Sequence, residues 1–309
     1  MHPPLLCPTC RSHLPTDRKC ASCGHRVSLR DGVYEFTHDT YATSFGEQWN
    51  AFARTQLDSA NGTTISEDRF AAVTGWAPKD LSGKSVLDVG CGAGRFTEVA
   101  VRWGAHVTAL DLSSAVYAAS RNVAGADCAR FVHADALAMP FAPRSFDFAF
   151  SIGVAQHTPD PLAFVRAVGD AVKPGGRVAL WIYERRLTAM LHPKYLLRPL
   201  TSRMSAAWNR GFSERLVDLF FPLAERLVRL PEPVRRTAMR ALPIAVYLGK
   251  LDLQPEAQRQ WSLLDTLDWY SPRYDQPQRY EDVARVLREC GAVRIDRRSP
   301  GGVTVHGSY

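Results

Sequence analysis

The chain has 309 residues, 38 Lys plus Arg against 31 Asp plus Glu for a net charge of +7, with 46% hydrophobic and 22% charged residues. This is an ordinary globular composition, long enough for one catalytic domain with additions, and it excludes disordered, low-complexity and repeat architectures. No apolar run approaches the roughly 20 residues of a membrane span, and the amino terminus lacks the basic-then-apolar pattern of a secretory signal, so the expected compartment is the cytoplasm.

The first element is a cysteine framework. Cys7 and Cys10 form CPTC, nine residues intervene, and Cys20 and Cys23 form CASC. Two CxxC knuckles bring four thiolates within reach of one tetrahedral ion, and Zn²⁺ suits such a set in a reducing compartment. The spacing predicts a zinc ribbon over residues 1–36, closed by strands in VSLRDGVYEF. A redox dithiol, or disulfides in an exported protein, are the other readings of the same spacing. His13 and His25 are surface residues or substitutes near the metal, and the isolated Cys91, Cys128 and Cys290 are expected to be buried or incidental.

Residues 37–80 read as a helical cover. Aromatic residues recur at Tyr41, Phe45, Trp49 and Phe52, a spacing that lays them along one helical face. They either line a site or pack on the following domain. Ser66 is positioned to cap a second helix.

At Val86 the chain enters VLDVGCGAGRF, an apolar run, a glycine turn and a new segment. Gly90, Gly92 and Gly94 alternate, so a Cβ is missing wherever the backbone must turn tightly or lie against a ligand. The GxGxG spacing is neither the GxGxxG of dinucleotide folds nor a phosphate-cradling loop. Next comes VTALDLS, a second strand ending in Asp111, 23 residues beyond Asp88, where a carboxylate can hold a ribose diol. Asp135 follows a third strand, Phe146 to Ile152 read as a fourth, and RVALWIY after Lys173–Gly176 (KPGG) as a fifth. Strands alternating with helix-length segments predict a parallel sheet with helices on both faces and a ligand at the strands' carboxyl ends.

These residues resemble the class I S-adenosylmethionine-dependent methyltransferases, in particular their broad small-molecule group, through LDVGCGAG, Asp111, Asp135 and KPGG over residues 81–183. The resemblance implies an α/β, Rossmann-like, seven-stranded mostly parallel sheet with S-adenosyl-L-methionine as cofactor. It assigns the cofactor to Asp88, Gly90, Gly92, Gly94, Asp111 with Leu112, Asp135 with Ala136, and Ser151. The catalytic domain then spans residues 81–184 and 275–309, and Tyr41, Trp49 and Tyr183 are candidates to line the acceptor side.

Methyl transfer from a sulfonium needs chiefly alignment and exclusion of water; a hydroxyl acceptor adds a need for a base. His157, at the end of strand four, is the candidate, since a neutral imidazole can take a hydroxyl proton. Its other reading is a loop anchor for the helix that Asp160 caps.

Residues 185–274 exceed a minimal domain of this type and read as a helical lid inserted after strand five. From Arg185 to Lys250 there are 13 Lys plus Arg against 4 Asp plus Glu, a balance of +9, which exceeds the whole chain's +7. Leu216, Leu219, Phe220, Leu223, Leu227 and Leu230 recur at helical spacing, with Pro222 expected to kink the run. Trp269 and Arg273, in a Pro-rich turn, are further acceptor-side candidates. A basic amphipathic lid fits an acceptor carrying phosphate or carboxylate, peripheral contact with an anionic membrane, or a solvated face.

Two functions follow: methylation of a small molecule, most readily at oxygen on a sugar, lipid-linked or secondary-metabolite acceptor, or methylation of an rRNA or tRNA base, since a zinc ribbon on this fold also resembles an rRNA guanine methyltransferase group. Residues 1–40 carry five Lys plus Arg against four acids. Such a ribbon lacks the positive footprint that phosphate-backbone binding needs, which favours the small molecule.

Overall fold

In a computed structural model, which describes residues 1–37, 42–185, 192–298 and 303–309, the chain divides into two compact units. The first comprises Met1–Ala53, Ser66–Glu184 and Asp275–Tyr309; the second comprises Arg54–Ile65 and Arg185–Tyr274.

The first unit is built on one nine-stranded sheet. Its strands are β1 (Ser28–Arg30), β2 (Val33–Glu35), β3 (Ser85–Val89), β4 (His106–Asp111), β5 (Ala129–His133), β6 (Phe146–Ile152), β7 (Val172–Ile182), β8 (Arg294–Arg298) and β9 (Val303–Ser308), in the order β1-β2-β5-β4-β3-β6-β7-β9-β8. Strands β5, β4, β3, β6 and β7 run parallel, while β9 pairs antiparallel with β7 and β8 with β9. Those seven are the predicted sheet. Two further strands come from the amino-terminal module, whose β2 adds in parallel to β5 with Val33 opposite Phe131 and Glu35 opposite His133.

The central strands are apolar because both faces are covered. Every residue of β3 is buried. On one face Leu87, Val89, Leu110 and Val132 pack with Phe164, Val165 and Leu287; on the other Val86, Val107 and Phe150 pack with Phe70, Trp76 and Trp103. The KPGG turn lies inside β7, where Lys173 pairs with Asp147 at 2.8 Å and Asp147 also accepts from the Ser85 N–H at 2.8 Å. This motif therefore ties three strands together.

The amino-terminal module is anchored beside β5. Leu5, Leu14 and Val27 join the main core. The Leu6 N–H donates to the Pro140 carbonyl at 2.9 Å, and the Arg11 guanidinium donates to the carbonyls of Met139 at 2.9 Å and Phe141 at 3.0 Å. The Tyr117 hydroxyl donates to Glu35.

The second unit is helical: Pro193–Thr201, Ala206–Leu227, Val234–Ala241 and Pro255–Tyr270, with the short helix Asp58–Asn61. Gln56 Nε2 donates to Asp265 at 3.1 Å, which explains why residues 54–65 group with the insert. The helix Ala206–Leu227 continues through Pro222, and its buried residues are Asn209, Ser213, Val217, Phe221 and Ala224. The expected leucine stripe is not the packed face: Leu219, Leu223 and Leu230 are exposed. Apolar residues occupy two sides of this helix, and the small residues Ser213 and Ala224 mark the inward one. Trp269 and Tyr270 also differ from expectation, ending the helix Pro255–Tyr270 rather than lying in the turn beyond it. Among the described residues no helix is long and apolar enough to cross a membrane.

Candidate active site

The site forms at the carboxyl ends of β3, β4, β5 and β6. Gly90 has φ +81°, and a Cβ there would fall into the Val154 side chain. Gly92 has φ +53°, and a Cβ there would stand 3.6 Å from the Trp49 indole. The loop is thus pressed between the turn after β6 and the helix Thr43–Ala51, and Gly94 then starts the helix Arg95–Arg102.

Asp111 locks this loop. Its Oδ2 accepts from the Gly92 N–H at 2.8 Å, and its Oδ1 accepts from the N–H and hydroxyl of Ser113, both at 2.8 Å. Burial raises its pKa, with the Ser113 and Gly92 hydrogen bonds opposing. Asp88 lies beneath the loop, buried, accepting from the Thr97 hydroxyl at 2.6 Å; burial pushes its carboxyl up to about 7 against that bond, and the Asp111 charge adds to the rise. The Leu112 carbonyl accepts from His133 Nε2 at 2.9 Å. Asp135, one strand further, caps the turn Ala136–Ala138 by accepting from the Leu137 N–H at 2.8 Å. The Ser151 hydroxyl donates to the Val89 carbonyl at 2.7 Å, a tie between β6 and β3.

Beside the glycine loop the site is lined by side chains. Phe45 and Trp49 stand one turn apart on the helix Thr43–Ala51, as their spacing predicts. Trp49 covers the glycine loop, and Phe45 lies 5.3 Å from the His157 ring. The same helix thus touches both the glycine loop and His157. His157 is buried and meets Tyr183 edge-on at 5.6 Å; Tyr183 meets Trp181 at 5.5 Å, and the Arg69 guanidinium lies 4.7 Å over Trp181. Asp160 caps the helix Pro161–Asp170 by accepting from Leu162 and Ala163 N–H groups, as expected. Ser66 lies within the helix Ile65–Thr74 rather than capping it, and its hydroxyl accepts from Arg95 Nε at 2.9 Å. Tyr41 lies outside the described residues.

Gln156 was not singled out by sequence. It is fully buried, and neither its amide nitrogen nor its amide oxygen has a hydrogen-bond partner among the described residues. Its backbone carbonyl accepts from the Gln276 N–H at 2.8 Å, and the Gln276 amide donates to the Thr158 and Pro159 carbonyls at 2.9 and 3.0 Å. A buried carboxamide with no partner is costly, and native structures rarely keep one without a reason. The only sequence signal was its place between strand four and His157.

Within the second unit, Trp269 meets His192 edge-on at 4.8 Å, and the exposed Arg273 lies 5.6 Å over Tyr274. Burial lowers His192 to about 4, with Lys194 and Arg240 adding to the effect.

At the other end, the Sγ atoms of Cys7, Cys10, Cys20 and Cys23 all lie within 4.8 Å of one another; Cys7 and Cys23 are 3.6 Å apart, Cys10 and Cys20 3.5 Å. A tetrahedron of sulfurs about 2.3 Å from one Zn²⁺ has edges of about 3.8 Å, so the donor set fits that ion.

The comparisons agree with this geometry. Residues 87–180 match the family model described as a methyltransferase domain. The strand order above is the one that the resemblance to class I S-adenosylmethionine-dependent methyltransferases implies for this stretch. Among individual proteins, the chain is similar to the ubiquinone biosynthesis O-methyltransferase of Pseudomonas entomophila (strain L48), 37% identical over 128 residues, covering 39% of this chain and 55% of that protein. The protein of the same name from Xylella fastidiosa (strain 9a5c) is 37% identical over 114 residues, covering 36% and 46%. The chain thus spans about half the length of these relatives. Among solved structures, phosphoethanolamine N-methyltransferase 2 of Haemonchus contortus aligns over 74% of this chain and 37% of that one, with 19% identity and a TM-score of 0.40.

Proposed function

We propose that this chain is an S-adenosylmethionine-dependent methyltransferase acting on the hydroxyl of a small molecule. The observation that carries the reading is the glycine loop held by Asp111, with Trp49 over it and Phe45, on the same helix, against a buried histidine. In this reading Gly90, Gly92 and Gly94 lie along the cofactor, Asp111 and Leu112 face its ribose, and Asp135 and Ala136 its adenine, with Asp88 and Ser151 supporting the loop from below. When bound, the cofactor supplies a methyl group already activated on a sulfonium.

The chain's own residues supply the rest. Phe45, Trp49 and Tyr183 exclude water and orient the acceptor. The His157 imidazole takes the acceptor's hydroxyl proton, and the Gln156 carboxamide offers the acceptor one donor and one acceptor. Such a pair fits a hydroxyl beside a second oxygen. The O-methyltransferase names of the relatives support oxygen as the methylated atom. Trp269 and Arg273 are further acceptor contacts in this reading, and the +9 balance of residues 185–250 supports an acceptor bearing phosphate or carboxylate, on a sugar, lipid-linked or secondary-metabolite scaffold. Cys7, Cys10, Cys20 and Cys23 hold Zn²⁺ as a structural ion in this reading, and a set of four reduced thiols supports a cytoplasmic location.

The test is to incubate the protein with methyl-labelled cofactor and, separately, RNA and metabolite extracts. Label is expected in a small-molecule fraction. Label in RNA alone overturns the reading.

A further inference from the structure

Of the twelve exposed large hydrophobic residues among those described, eight fall between residues 196 and 234. Scattered single leucines are normal on a soluble surface, whereas such a concentration marks a contact. Leu196 and Leu200, one turn apart on the helix Pro193–Thr201, are 77% and 60% exposed, and Leu219 on the next helix is 69% exposed. On the helix Ala206–Leu227 the exposed Leu219 and Leu223 stand one turn apart, with the exposed Arg215 a turn before them and Arg226 a turn after, and Asp218 and Glu225 are exposed on the same helix. The following helix, Val234–Ala241, has no buried residue at all, carries Arg235, Arg236 and Arg240, and begins with Val234 at 56% exposure. Short helices owe most of their stability to packing of an apolar face, and of the apolar residues on this one only Ala238 and Met239 are half-buried.

Charge selects the occupant. Nucleic acid would satisfy the arginines but leave the leucines in water. Residues 193–241 carry ten Lys plus Arg against four acids, so a second copy of this chain would bring +6 against +6. An anionic bilayer surface accommodates both sets, with guanidinium groups at the phosphate level and leucine and tryptophan side chains at the acyl boundary. We propose that residues 193–241 form a docking surface for an anionic membrane, with Leu196, Leu200, Leu219 and Leu223 as apolar anchors and Arg215 and Arg226 as headgroup contacts. The proposal does not depend on the acceptor: it holds or fails whether or not methyl transfer is shown.

Flotation of the full chain with vesicles tests it. Binding is expected to vesicles of phosphatidylcholine and phosphatidylglycerol in equal parts, weak or no binding to phosphatidylcholine alone, and release from the mixed vesicles at high salt. Arg215→Ala and Arg226→Ala should each weaken binding about fivefold. Leu219→Ser with Leu223→Ser should weaken it by more than about tenfold. All four side chains are exposed, so each variant should keep the parent's thermal transition, which separates lost docking from lost folding. Failure of the parent to bind mixed vesicles overturns the proposal, as does unchanged binding by the Leu219→Ser, Leu223→Ser variant. Equal binding to neutral vesicles removes the role given to the arginines. A parent dimer in light scattering that this variant abolishes, without vesicle binding, reassigns the surface to a second copy.

Discussion

The loops that leave the paired strands β3 and β6 lie side by side yet are made differently. After β3 the working parts are backbone: three glycines and a carboxylate that fixes the Gly92 N–H. Beside β6, in the proposed reading, they are side chains: Gln156 and His157 of the loop itself, with Phe45 of the helix Thr43–Ala51 and Trp181 and Tyr183 from the end of β7 in a row against them. A donor molecule common to many enzymes can be gripped by a conformation, whereas an acceptor particular to one enzyme must be read by functional groups. The two loops should therefore respond to different perturbations.

The largest effect is expected behind the donor side. The cysteine module supplies β2, which pairs with β5, and its Arg11 holds the segment just after Asp135. Chelation should release one zinc per chain by elemental mass spectrometry and lower the thermal midpoint by about 3 °C, the size of shift that a loss of about 2 kcal/mol causes in a chain this long. It should weaken the donor and leave acceptor discrimination unchanged. Protein that holds no zinc, or a melting curve indifferent to chelation, breaks the assignment.

Next in size is Asp111→Ala, which removes the acceptor of three hydrogen bonds at the loop. Calorimetry should show S-adenosylmethionine affinity falling about a hundredfold, as loss of two charge-assisted hydrogen bonds implies. A variant that binds normally would mean the glycines hold their conformation without it.

How much of this was legible in the sequence follows the same division. β6 was placed at Phe146–Ile152 from its apolar run, and the three glycines from their spacing, because both signals are local. The two extra strands required knowing which edge of the sheet the amino-terminal hairpin joins, a long-range pairing of Val33 with Phe131 that no local pattern encodes. The helix Ala206–Leu227 was recognised as a helix from its leucine spacing, but which side packs was not legible. Its leucines outweigh Ser213 and Ala224 on any hydrophobicity count, and only the neighbouring helix shows that the small residues face inward. Gln156 was overlooked for a related reason: one glutamine has no signature until burial leaves its amide unpaired.

On the acceptor side Gln156→Met keeps the volume and removes the polar atoms. Removing an unpartnered buried carboxamide should leave ligand-free stability unchanged or higher, while KM for the acceptor rises about tenfold with cofactor affinity intact. A loss of stability with unchanged KM would make Gln156 a packing residue. The smallest effect belongs to Asp88, beneath the donor loop. Its folded pKa of about 7 lies above the ordinary 3.8, so the folded protein keeps a proton that the unfolded chain has released, and stability falls as pH rises through that interval. Over the unit below pH 7 the fall is about 1 kcal/mol. Asp88→Asn cannot lose a proton and still accepts from Thr97, so urea melts of this variant should be flatter across the same interval than those of the parent. Parallel profiles for the two would mean that Asp88 stays ionised under the loop, and the donor side would then hold two adjacent carboxylates rather than one.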